Sequence, residues 1–301
     1  MFFGYNTNGF AHHRLDDAIA ILADLGYEGV ALTVDHHVLN PKSTEVRRDA
    51  ERMRRLLQKR KLRCVIETGA RFLLDPRRKH QPTLLSPDRG ERSVRSDFLE
   101  GCVKLAAHLN ADAVSFWSGT AVDDAPAEVL WQRLADGCHS LIDNALEFGV
   151  RLAFEPEPGM FIDTMEQFEQ LLSRLGEKDS APPRFSQIAS PAFGIFGLTL
   201  DIGHLHCLGE TPIAEQILRW KDVLWNVHLD DMRRGVHDHL MFGEGEIDFG
   251  PVLGALKKID YAGGAYVELS RHSHDAVGVA ERSLRFLRQM ASPSASVGGT
   301  P

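Results

Sequence analysis

The chain has 301 residues, 43% hydrophobic and 25% charged, enough material for one (β/α)8 barrel or two average domains, which excludes a disordered polymer. A net charge of −8 at pH 7 argues against a nucleic-acid binder, whose affinity rests on Lys and Arg neutralising phosphates. Four scattered cysteines without a CxxC pair, no long apolar run and no leader-like N-terminus lead to the expectation of a reduced, cytoplasmic protein without structural zinc or membrane contact.

Short apolar runs alternate with amphipathic stretches. Residues 2–7 read as a first strand, and RLDDAIAILADLG follows at helical spacing with a glycine stop. GVALTVD (29–35) is a second strand, followed by a charged helix over 44–61; LRCVIETG (62–69) is a third, followed after a long loop by a helix over 95–109. ADAVSFWSG (111–119) and a helix over 126–148 make the fourth unit, VRLAFEPEP (150–158) and 164–175 the fifth. FGLTLDIGH (196–204) with a short helix over 212–219 is the sixth, and VLWNVHLDD (223–231) with FGPVLGALKKI (249–259) the seventh. GAYVELS (264–270) and a helix over 276–287 complete the eighth. Strand–helix alternation implies parallel pairing through right-handed crossovers, and eight uninterrupted units favour a single closed (β/α)8 TIM barrel over residues 1–290. The tail 291–301, ASPSASVGGTP without its flank, is small and polar and is expected to be disordered. Residues 177–197 precede strand six and so belong to the end away from the strand C-termini, where a homo-oligomer contact is one use for them.

Four of the strands end on a residue that is costly to bury: Glu155, Asp201, His228 and Glu268. In a parallel barrel every strand C-terminus lies at one mouth, so these four converge although they are far apart in the chain. The bland reading is a polar strand end bonded to a loop or to water, which serves for any one of them but poorly for all four. Two Glu, one Asp and one His make an oxygen-rich donor set that suits Mn2+ first, with Mg2+, Co2+ and Zn2+ open.

Strand five ending in Glu155, strand six in D-x-G-H (201–204), strand seven in H-x-x-D (228–231) and strand eight in Glu268 together resemble the xylose isomerase-like TIM-barrel superfamily. Its sugar phosphate isomerase/epimerase branch is similar also in the stretch F-G-E-G-E-I-D (242–248). The resemblance implies that Glu155, Asp201, His228 and Glu268 bind one divalent metal and that Glu155 and Glu268 move a proton on either side of the substrate. It further implies that His204 touches a substrate oxygen and that Arg234, or Arg233 if the register shifts by one, binds substrate. The Asn-Arg pair that ketose 3-epimerases carry soon after the strand-five glutamate is replaced here by PEPGMFIDT, which weighs against a free ketohexose. The trinuclear zinc site of endonuclease IV lacks its histidine after strand four, where Trp117, Ser118 and Gly119 stand.

The resulting expectation is a metal-dependent isomerase or epimerase of a sugar, sugar phosphate or related hydroxy-carbonyl compound, with a small-molecule substrate, neutral or anionic, in view. A dehydratase of a cyclitol ketone or dehydroshikimate-like compound is the neighbouring alternative, and a non-catalytic metabolite-binding barrel the distant one. Other mouth-side residues add contacts to this expectation. His37, beside His36, reads as a substrate contact or a second metal ligand; Glu67 as a bond to substrate or to Arg71; Trp117 as an apolar wall or a core residue; His239, near His237 and Asp238, as a further substrate contact. The loop 71–92 sets Arg71, Arg77, Arg78, Lys79, Arg89 and Arg92 against Asp75, Asp88 and Glu91, and reads as a lid that attracts an anion through Arg77 and Arg78.

Overall fold

The computed structural model describes residues 1–176 and 194–291. Eight parallel strands close into a barrel: β1 (Phe2–Asn6), β2 (Gly29–Thr33), β3 (Arg63–Glu67), β4 (Val114–Phe116), β5 (Leu152–Phe154), β6 (Phe196–Asp201), β7 (Leu224–Leu229) and β10 (Gly264–Val267). Each strand neighbours the next in chain order and β10 closes on β1, the arrangement that right-handed crossovers produce. The helices around it are α1 (Leu15–Leu25), α2 (Val46–Arg60), α3 (Arg89–Leu109), α4 (Ala127–Phe148), α5 (Met165–Gly176), α6 (Ile202–Leu208), α7 (Ile213–Trp220), α8 (Phe249–Lys258) and α9 (Ala276–Ala291). The eight sequence units are all present. Among the described residues no helix is long and apolar enough to cross a membrane. The readings made for 177–193 and for the tail after Ala291 lie outside the described residues.

Three details differ from the sequence reading. Helix α3 starts at Arg89 rather than Arg95, because the Asp88 carboxylate accepts from the Glu91 N–H at 2.9 Å and caps a first turn too charged to show an apolar period. The short α6 follows β6 without a loop; Asp201 caps it by accepting from the His204 N–H at 2.9 Å. An antiparallel hairpin, β8 (Asp231–Arg233) and β9 (Val236–Leu240), stands after β7. Its strands are short and β9, VHDHL, is half-buried beyond Val236 and polar in its middle, so no apolar alternation marks it.

The core has two layers. Leu22, Phe98, Leu134, Phe168 and Trp220 belong to the large cluster between strands and helices, while Phe2, Ala31, Val65, Ala113, Ala153 and Tyr266 form a separate cluster inside the barrel. Packing inside is tight at its base: a Cβ on Gly197 would stand 2.1 Å from the Trp225 indole nitrogen. Two residues further along the same strands, on the same face, stand Thr33, Glu67, Ser115, Glu155 and Glu268. The interior therefore turns from apolar to polar in one step along the strands, and that step sets the floor of the site.

Candidate metal centre

Strand register brings the four polar strand ends level. Asp201 pairs with His228 across β6 and β7, and Leu229 pairs with Val267 across β7 and β10. The Glu268 N–H donates to the Leu229 carbonyl at 2.9 Å and the Glu155 N–H to the Phe116 carbonyl at 2.8 Å, so both glutamates continue the ladder by one residue. Their side chains meet at His228 Nδ1, with Glu155 Oε1 at 3.0 Å, Glu268 Oε2 at 2.8 Å and Asp201 Oδ2 at 3.8 Å. One donor atom from each of the four lies within 4.8 Å of the others.

Three carboxylates this close cannot all be ionised without a positive charge among them. Those carboxylates favour positive charge on the His228 imidazole: burial disfavours it, but Glu67, Glu268 and Glu155 hold its pKa well above the usual range. Burial pushes the Glu155 carboxyl up, against the pull of His228. At Glu268 burial is outweighed by the imidazoles of His228, His239 and His204, which keep that carboxyl well below its ordinary range. Burial likewise raises Asp201, and His204, His239 and His228 together bring it below normal. Asp201 Oδ2 is buried and has no hydrogen-bond partner among the described residues. An orphaned carboxylate oxygen facing two further carboxylates and an imidazole is what a divalent cation satisfies, so the residues fit a divalent metal.

Glu67 stands behind the imidazole. Its Oε1 lies 2.9 Å from His228 Nε2 and accepts from Asn226 Nδ2 at 3.0 Å, which leaves His228 Nδ1 to face the ligand set. This differs from the expected bond to substrate or Arg71. Replacing Glu67 by Gln is expected to weaken metal affinity about 10- to 100-fold, measured by competition with a chelator; an unchanged affinity would reject the positioning role. On the other side Asn8 Nδ2 donates to Glu268 Oε1 at 2.8 Å and orients that carboxylate.

A second group of donors adjoins the first. His204 Nε2 and His237 Nε2 are 3.1 Å apart, and His239 pairs with the fully buried Asp230. His204, His237 and His239, and separately Asp201, Asp230 and His239, have metal-ligand spacing; an ion in the latter set would share Asp201. Gly203 makes room for Asp230, since a Cβ there would stand 2.1 Å from Asp230 Oδ1. Gly203→Ala is therefore expected to destabilise the fold by about 1–3 kcal/mol, read from a chemical denaturation curve. A wild-type curve for that variant would show that Asp230 has room to move.

Over this floor opens a cavity of about 220 Å³. Trp117 lines it, half-buried, with the Arg95 guanidinium 4.9 Å from its ring and the His80 ring edge-on at 5.3 Å. His204, His237 and His239 form another wall, and Glu155, Glu67, His228 and Glu268 the floor. His37 does not line this cavity; it is exposed, stacked on His36 at 5.6 Å, in an adjoining hollow. Neither Arg234 nor Arg233 lines it. The Arg234 guanidinium lies against Gly209 and that of Arg233 donates to the Glu244 carbonyl, because the unforeseen hairpin carries both outward; Arg271 faces the cavity instead.

The basic loop sorts its charges. Arg78 pairs with Asp75 and Glu91, and Arg92 donates to the carbonyls of Ser86 and Pro87, whereas Arg71 and Lys79 reach the cavity wall. The expected anion contact through Arg77 and Arg78 therefore has no place in the cavity lining. The 242–248 stretch is held by Asp231, whose carboxylate accepts from the N–H groups of Gly243 (2.8 Å), Gly245 (3.0 Å) and Ile247 (3.1 Å). Its glycines shape a turn beside the site. Asn8, Asp230 and Arg271 escaped the sequence reading; the only signal for them was the polar end of strand one and a second acid beside Asp231.

The eight parallel strands define a TIM barrel, with a donor set that fits a divalent metal at the C-terminal ends of its strands. The family model described as xylose isomerase-like TIM barrel matches residues 19–290, and the chain belongs to that family. Inosose dehydratase from Lacticaseibacillus casei is 28% identical over 165 residues, which are 48% of this chain and 50% of that protein. The match thus spans about half the length of these curated relatives. Among solved structures, D-allulose 3-epimerase from Methylomonas sp. in complex with D-allulose has 19% identity and a TM-score of 0.72, covering 96% of this chain and 97% of that one. The IolI protein with a bound zinc atom has 16% identity and a TM-score of 0.71, covering 99% and 100%. At these identities the likeness is one of fold.

Proposed function

We propose that the protein is a divalent-metal-dependent enzyme that moves a proton beside the carbonyl of a polyhydroxylated compound of monosaccharide or cyclitol size, and so epimerises or isomerises it. The observation that carries this reading is that Glu155 and Glu268 both reach His228 Nδ1, at 3.0 and 2.8 Å, on the floor of the cavity. The cavity's 220 Å³ lies below the roughly 300–1,000 Å³ of pockets that take drug-sized ligands, a size suited to a compound of one six-membered ring. Its wall sets Glu67, Glu155, Glu157 and Glu268 against Arg71, Lys79 and Arg271, so no excess positive charge selects a phosphate.

Glu155, Asp201, His228 and Glu268 would hold the metal, Mn2+ first by the hardness of the donor set. When bound, it supplies positive charge to stabilise the negative charge that develops on the substrate oxygens. One of the two glutamates takes the proton from the carbon next to the carbonyl, and the other returns one; return to the opposite face inverts the carbon, and return to the neighbouring carbon exchanges aldose and ketose. His204, held by its Nδ1 contact to the Pro156 carbonyl at 3.2 Å and with Nε2 3.1 Å from His237 Nε2, lines the cavity where a substrate hydroxyl would bind.

Dehydration is the second reading. It is supported by the sequence relatives and by Glu157, a carboxyl that lines the cavity outside the four-residue ligand set and suits protonation of a departing hydroxyl. Incubation of the Mn2+-loaded protein in D2O with a panel of ketoses and keto-cyclitols separates the cases. Deuterium at the carbon beside the carbonyl with retention of all oxygens is expected; loss of water with a rising enone absorbance would favour the dehydratase. No exchange with any compound despite bound metal would leave a binding barrel.

A further inference from the structure

Beside the catalytic cavity a second hollow of about 560 Å³ opens at the mouth, over the ends of β1 and β2. The two spaces share Asn8, Thr33 and Arg71 as a common waist. Asn8 belongs to both chemically, since its Nδ2 is committed to Glu268 while its Oδ1 is shielded from solvent and without a hydrogen-bond partner among the described residues. The Arg71 side chain has no ion-pair partner among the described residues and faces the passage.

The lining of the hollow narrows what it can take. Phe10 and Leu39 are buried and, with Leu15 and Val38, make an apolar floor; His12, His36 and His37 stand exposed around it. Arg14, Arg52 and Arg71 are matched by Asp16, Asp35 and Asp49, with Arg52 already paired to Asp16, so the hollow offers no net charge to an ionic group. An apolar floor with a hydrogen-bonding rim and balanced charge fits the flat face of a sugar or aryl ring. The catalytic cavity is too small for two rings; the hollow is more than twice its volume.

We infer that the hollow is the second half of the substrate site and that the substrate is a neutral glycoside whose reacting ring carries the ketone. Its reacting ring sits over Glu155 and Glu268, its sugar or aryl substituent lies on Phe10 and Leu15, and Asn8 and Arg71 meet the bridging oxygen at the waist. The assignment of the reacting ring rests on the proton-transfer reading above; the hollow's occupancy by a second ring does not.

Isothermal titration of the Mn2+-loaded full chain with glucose, cellobiose and 4-nitrophenyl β-D-glucopyranoside tests this. Both glycosides are expected to bind about tenfold or more tighter than glucose, a difference of about 1.4 kcal/mol. Ala11, exposed on the lining, is the place to fill the hollow: Ala11→Trp is expected to erase the glycoside advantage while leaving glucose binding within about twofold. His37→Ala, at an exposed rim position, is expected to reduce the same advantage should the larger substitution perturb the fold. Equal affinities for glucose and the glycosides, or an advantage that survives both substitutions, would overturn the inference. Glycoside selectivity in a protein that shows no deuterium exchange with any keto compound would keep the inference and remove the catalytic reading instead.

Discussion

The Asp201→Asn protein is expected to lose its divalent metal while keeping its fold. Asp201 Oδ1 caps α6 by accepting from the His204 N–H, and an asparagine Oδ1 can accept the same bond, so the helix start survives. What asparagine cannot provide is the charge at Oδ2, the buried oxygen without a hydrogen-bond partner among the described residues, on a residue that belongs to two donor groupings. The fall in affinity should exceed the 10- to 100-fold typical of losing an outer-shell partner, hence more than about 100-fold. Metal analysis of gel-filtered protein, with a thermal melt on the same sample, checks both halves. Unchanged metal content would remove Asp201 from the ligand set and with it the central assignment.

Glu155→Gln and Glu268→Gln are each expected to slow proton transfer by about 10²- to 10⁴-fold, because a carboxamide can neither accept nor return the proton. Both residues are also donors to the metal, so the rate has to be expressed per bound ion. Deuterium exchange in D2O measures that rate directly, and metal analysis supplies the occupancy. A loss of exchange no larger than the loss of metal would make these glutamates ligands only. The double variant should cost little more than the worse single one, since the two act on one proton path and their effects do not add.

The barrel was legible because its signal is repeated. Eight apolar runs, each followed by an amphipathic helix, leave one economical closure, and runs such as GVALT and FGLTLD are buried at every position, as a strand covered on both faces must be. The residues Glu155, Asp201, His228 and Glu268 were legible for the same reason: an ionisable group is conspicuous at the end of an apolar run. Glu67 was equally conspicuous, but its partner was not, since His228 lies far away in the chain and meets it only across the closed barrel. Helix α6 was illegible because its seven residues continue the apolar run of β6 without a break, and the β8–β9 hairpin because its short strands carry no period; the misplacement of Arg234 followed directly from the missing hairpin.

Sequence alone determined the architecture, the end of the barrel that bears the chemistry and the four donors that face one another there, because alternation and burial act locally along each strand. Tertiary structure alone decided which nitrogen of His228 faces the carboxylates, which cations of the 71–92 loop reach the cavity, and that a second hollow adjoins the first through Asn8 and Arg71. Those outcomes depend on distances between residues remote in the chain, and such distances exist only once strand register and loop packing have placed the side chains.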